Sequence, residues 1–265
     1  MLQADPQAPV PDRDPRVRRI VAFEAPGSIG ERLAAVRSLP ARLPAADAEV
    51  LYARIIVPPV APGMPAAEWA ALYNDVLNVL GALDTPLPDY PARLQTLLAQ
   101  EERDAVLRDY ALQHLLAYVQ FRLPPEQRST RLAEAASVAR AAAGTTLPGT
   151  YLLGIYQQAG KPGYPEKAEI ARQAAALASD PEARTLNRIS AIQICAQLDH
   201  TEALATAVEL ARDAQLPAGL RVAAIAAIGQ LGSAEHRALL TQLKYQQAPD
   251  FRLQHAAERA LQHLP

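Results

Sequence analysis

The chain holds one cysteine, Cys195, one tryptophan and three phenylalanines among its 265 residues, and aromatics make up only 5% of it. A single cysteine excludes an intramolecular disulfide framework and any multi-cysteine zinc site. An excess of one charge is missing too. The 26 Lys and Arg stand against 28 Asp and Glu, a net charge of -2, so strong nucleic-acid binding through net charge is not expected. Long apolar runs are absent: the longest uncharged stretch, 141–160, is broken by Gly144, Pro148, Gly149 and Gln157, and no membrane span is expected. Asp5 and several prolines occupy the place of a signal-peptide h-region, which favours the cytoplasm, with export after signal removal as the alternative.

Ala and Leu make up roughly a third of the chain while strand formers are sparse, so helix is the default conformation. The 23 prolines fall between periodic segments, where a missing N–H and a fixed φ suit a first helical turn. Pro91, Pro125, Pro148, Pro165 and Pro217 each precede such a segment. Asp180, Pro181 and Glu182 read as an N-cap, a first-turn proline and an acid favoured by the helix dipole. Ser28 with Glu31 reads as a capping box, and Thr201, Ser233 and Asp250 open further runs. Apolar spacing such as Leu107, Ala111, Leu115 and Tyr118 predicts helices over 29–39, 46–57, 66–83, 91–100, 102–122, 126–143 and 149–159. It predicts six more over 165–178, 182–198, 201–213, 217–231, 234–246 and 250–263, with short connections that make neighbours antiparallel. Residues 1–25, with Pro6, Pro9, Pro11 and Pro15, read as an extended or disordered arm whose segment 17–23 docks on the first helices. Residues 26–265 read as one helical domain, with a sub-boundary at the proline-rich loop 58–65.

The most specific signal is self-similarity with a period of 33 residues. Ala191, Ala224 and Ala257 are related by it, as are Ile194, Ala227 and Ala260; Cys195, Ile228 and Leu261; and Leu198, Leu231 and Leu264. A small residue lets the next helix approach, and the residues three, four and seven places on fill the shared core. The stretch 221–235 resembles the HEAT-like repeat of the bilin-lyase type: an arginine, Arg221, an alanine three residues later, Ala224, an Ala-Leu-Gly-like group, a Gly turn and a second helix. Arg188 with Ala191, Ile194 and Cys195, Arg108 with Ala111, His114 and Leu115, and Arg32 with Ala35, Ser38 and Leu39 are weaker copies. Gln254 replaces the arginine in the last copy, which reads as a terminal cap. The resemblance covers about 181–264 and is degenerate upstream, where Leu153, Gly154, Tyr156, Gly160 and Ala168 are similar to a tetratricopeptide repeat.

The resemblance implies an all-α fold, a right-handed α-solenoid of stacked antiparallel helix pairs. The 33-residue period, with no catalytic constellation beside it, points to a non-catalytic scaffold that binds a protein or peptide partner on a concave face lined by second helices. Glu202, Thr206, Glu209, Arg237 and Gln242 are the candidate partner-binding residues on those helices. A HEAT-type enzyme or enzyme subunit, bilin-lyase-like or alkylpurine-DNA-glycosylase-like, is the alternative, and a tetratricopeptide-like interaction module is a third reading.

No cofactor, metal or catalytic residue is expected. HEAT-like iron hydroxylases of the deoxyhypusine hydroxylase type carry repeated His-Glu dipeptides that place a nitrogen and a carboxylate on the metal, and no His-Glu step occurs here. Nor does the chain contain a Gly-rich phosphate loop, a zincin helix motif or a nucleophile elbow. His114 reads as a core-facing, satisfied histidine, and Cys195, among Ile192, Ile194 and Leu198, as a small core residue. Asp199, His200 and Glu202, and Glu235 with His236, read as turn and first-turn groups, while His255 and His263 lie two turns apart, too far for one ion. Arg13, Arg16, Arg18 and Arg19, interleaved with Asp12 and Asp14, read as a solvated arm; docking to an acidic partner is the sharper alternative.

Overall fold

The computed structural model describes residues 13–23, 27–59, 63–245 and 250–264. Among these residues every regular element is helical and no strand occurs. The chain forms two compact units, Met1–Tyr118 and Val119–Pro265. The division does not fall at the loop 58–65. Within that loop 60–62 lie outside the described residues, as do 1–12 and 24–26, which hold much of the expected arm.

The first unit contains α1 (Pro15–Val21), α2 (Ile29–Arg37), α3 (Ala45–Leu51), α4 (Ala66–Ala82), α5 (Tyr90–Ala99) and most of α6 (Ala105–Phe121), with a π-helical turn, Tyr52–Ile56, continuing α3. Helix α1 corrects the expectation of an extended arm. Asp14 accepts from the backbone N–H of Arg16 at 2.8 Å, Pro15 takes the first helical position, and Val17 and Ile20 are fully buried, packing α1 on α2 and α3. The capping box of α2 is present: Ser28 Oγ accepts from the Glu31 N–H at 3.3 Å, and Glu31 accepts from the Ser28 N–H at 3.0 Å.

The second unit contains α7 (Pro125–Ala141), α8 (Leu147–Ile155), α9 (Lys167–Ser179), α10 (Thr185–Gln197), α11 (Leu204–Arg212), α12 (Ala218–Leu231), α13 (Arg237–Lys244) and α14 (Phe251–His263). Short 3-10 turns, Thr201–Ala203 and Ala234–His236, lead into α11 and α13. Asp180 does not cap α10. It ends α9, and its carboxylate accepts from the Glu182 N–H at 2.9 Å in a local turn, which moves the start of α10 to Thr185.

One side-chain position organises both units. The fourth residue of α2, α6, α10, α12 and α14 reaches back ten residues to a carbonyl at the end of the preceding helix. Arg32 donates to Ala22 O (2.8 Å), Arg108 to Leu98 O (3.0 Å), Arg188 to Ala178 O (3.0 Å) and Arg221 to Ala211 O (3.2 Å). Gln254 does the same to Lys244 O at 3.2 Å, so the substitution at the last copy keeps the contact. The last carbonyls of a helix have no partner within it, and buried ones must find one elsewhere. In α4 that fourth position is Trp69. There Arg103, from the loop before α6, bonds the carbonyls of Ile56 (3.1 Å), Val57 (2.8 Å) and Pro58 (3.3 Å) in its stead.

In the second unit α9 pairs with α10, α11 with α12, and α13 with α14, while α8, α10, α12 and α14 pack successively on one another. The arginine-bearing helix is therefore the second of its pair, not the first. The positions related by 33 residues form the contacts between these helices: Ala191, Ala224 and Ala257 are fully buried, as are Ile194 and Ala227 to within 1%. The approach is close. A Cβ on Gly229 of α12 would lie 2.7 Å from Cα of Ala260 on α14, and one on Gly149 of α8 would lie 2.7 Å from Oδ1 of Asn187 on α10.

Candidate functional site

Helix α12 is buried on all sides but one, because it is covered by α10, α11 and α14. Its open side carries Gly219, Val222, Ala226 and Gln230, spaced by three and four residues along one face. The 33-residue relation extends to this open side. Leu186, Gly219 and Arg252 form one row across α10, α12 and α14; Ile189, Val222 and His255 form the next. Gln193, Ala226 and Arg259 form a third, and Gln197, Gln230 and His263 a fourth. Sequence reading used the period only to find the core. The same period on polar and exposed positions was the signal that marks this face.

Between α12 and α14 the face sinks into a groove of about 1020 Å³. Val222, Ala226, Gly229 and Ala260 form its floor; Phe251, His255, Arg259 and His263 project from α14 beside it. The depth follows from the small side chains at the helix contact. A second depression of about 280 Å³ adjoins it between α8, α10 and α12, sharing Ala226 and Gln230 and lined also by Leu153, Tyr156, Gln193 and Gln197. Phe251 and Leu186 are unusually open for apolar side chains, at 75% and 63% exposed.

The five residues expected to bind a partner lie elsewhere. Glu202 sits in the 3-10 turn before α11, with a carboxylate oxygen 2.6 Å from His200 Nδ1; Thr206 and Glu209 are on α11, Arg237 and Gln242 on α13. None of them lines either depression. They are polar positions of helices expected to be the second of their pairs, whereas the pairing observed makes α11 and α13 the first. No protein-family model, curated protein or solved structure matches the chain.

The remaining reactive groups are held in unreactive states. Burial pushes the Cys195 thiol up to about 12, and its Sγ lies 3.8 Å from the Ala171 carbonyl. Burial lowers His114 to about 4, so the ring is neutral near pH 7, with Nε2 donating to Asn74 Oδ1 at 3.0 Å. His236 Nδ1 accepts from the Ser233 N–H at 3.2 Å and closes a first turn. Among the described residues no group of three or more His, Cys, Asp or Glu is placed to hold a metal ion, and no helix is long and apolar enough to cross a membrane. The basic cluster is partly paired: Arg16 binds Asp14, and Arg13 lies 3.7 Å from Asp47 of α3.

Proposed function

We propose that the second unit is a HEAT-like, right-handed α-solenoid segment acting as a non-catalytic scaffold, which binds a protein or peptide partner along the open side of α10, α12 and α14. The observation that carries this reading is that the 33-residue register governs the exposed rows as well as the buried ones. Three helices, α10, α12 and α14, thus present equivalent positions to one side, the arrangement by which stacked repeats read an elongated partner. Helices spaced by about 8–10 Å give three of them a span near 20 Å, about the length of six extended residues. The small-residue floor offers apolar contact, and the glutamines Gln193, Gln197 and Gln230 offer amide donors and acceptors beside it.

Selection of a displayed random-peptide library on the intact chain tests the reading. Peptides are expected to enrich, and their binding to be lost on Ala226→Trp, which fills the point shared by both depressions while leaving the helix contacts intact. Enrichment of nothing, or binding indifferent to Ala226→Trp, overturns it.

A further inference from the structure

We infer that the segment this face takes is acidic at one end and apolar at the other, seated with its carboxylates over α14 and its apolar side chains over α10 and α12; this rests on the binding face proposed above. Each of the four rows changes character in the same direction. Leu186 and Gly219 give way to Arg252, Ile189 and Val222 to His255, Gln193 and Ala226 to Arg259, and Gln197 and Gln230 to His263. Every position of the rows on α10 and α12 is uncharged. Every one on α14 is a cation or an imidazole.

The charges nearby sharpen the point. The groove lining contains no carboxylate among the described residues. Asp250 is engaged by Arg252, whose guanidinium donates to both its oxygens, and Glu258, the neighbour of Arg259 in sequence, pairs with Lys244 at 3.0 Å. Arg259 is exposed and has no ion-pair or hydrogen-bond partner among the described residues. It therefore presents a positive charge without an ion-pair partner among the described residues, at the edge of an apolar floor beside Phe251. A carboxylate placed there makes a bidentate pair, and its chain neighbours reach Val222 and Ala226. A nucleic acid fits less well. Two arginines, one already paired with Asp250, on a chain of net charge -2 release few counterions.

Fluorescence anisotropy on the intact chain tests this with a labelled peptide of about fourteen residues, long enough as a helix to cross α10, α12 and α14, with leucines in its first half and aspartates in its second. Companion peptides carry Gln or Lys for the aspartates, and a single-stranded DNA of equal length completes the set. The acidic peptide is expected to bind best. Arg259→Glu is expected to weaken it about tenfold and to raise the affinity of the Lys peptide, while Lys167→Glu, exposed at the start of α9, changes neither. Circular dichroism confirms that the variants fold, which the exposure of Arg259 favours. If the acidic and Gln peptides bind equally and Arg259→Glu has no effect, while Ala226→Trp abolishes both, the binding face stands and the acidic preference falls. If no peptide of any charge binds, both fall. Tighter binding of the oligonucleotide overturns the inference in favour of a nucleic-acid partner.

Discussion

The side chain that does most for this fold is the one at the fourth position of the arginine-bearing helices. Arg221 is only 8% exposed, and its Nε donates to the Ala211 carbonyl, which the preceding helix cannot satisfy. Replacing it with methionine keeps the aliphatic stem and removes the donor, and is expected to cost about 1–3 kcal/mol in urea unfolding. Wild-type stability in Arg221→Met would remove the capping role. His114 makes a prediction in pH. Its folded value lies near 4 against an ordinary 6.5, so below 6.5 the unfolded chain takes up a proton that the folded chain refuses. The stability it contributes is full above 6.5, falls as the pH drops towards 4, and is flat below; the loss is on the order of 2–3 kcal/mol. His114→Gln, which can still donate to Asn74, is expected to flatten that part of the stability–pH curve, and an unchanged slope would show that His114 is not its source.

At the scale of elements, the helix contacts depend on how little lies between them. Gly229→Ala places a methyl within 2.7 Å of Ala260, in backbone as well as side chain, so α12 and α14 must separate. A loss of about 1–3 kcal/mol in thermal or urea unfolding is expected, although alanine is the better helix former by about 1 kcal/mol. Stability equal to or above wild type would mean the pair is looser than described. The existence of these helices was legible because proline, the caps and the Ala/Leu period are local signals, and each of the thirteen runs read from them has a counterpart. Helix α1 was missed: seven residues are too few for a period to emerge, and the Asp14-Pro15 start was the only cue. Which helix pairs with which was not legible either. Short connections join α10 to α11 and α11 to α12 alike, and it is the tertiary packing that places α11 against α12. That ambiguity is why the expected binding residues fall on α11 and α13, the first helices of their pairs, and not on second helices.

At the scale of the whole molecule, each unit has its own core, and in the second the character of the repeated positions changes at α14. The forward face of α10 buries Ile192 and Ala196, and that of α12 buries Ile225 and Gly229. The equivalent places on α14 are Glu258 and Gln262, both exposed. A charged, exposed face at these places disfavours self-association. Glu258→Ile combined with Gln262→Gly restores the pattern of the inner helices and is expected to cause concentration-dependent self-association in sedimentation velocity; behaviour identical to wild type would show that the face is not a stacking surface. The reach of ten residues by which Arg188, Arg221 and Gln254 each close their own hairpin has a kinetic corollary. Every one of these closures is complete within a few dozen residues of chain, so low contact order favours fast, sequential assembly on the ribosome, with each hairpin offering a finished surface to the one synthesised after it.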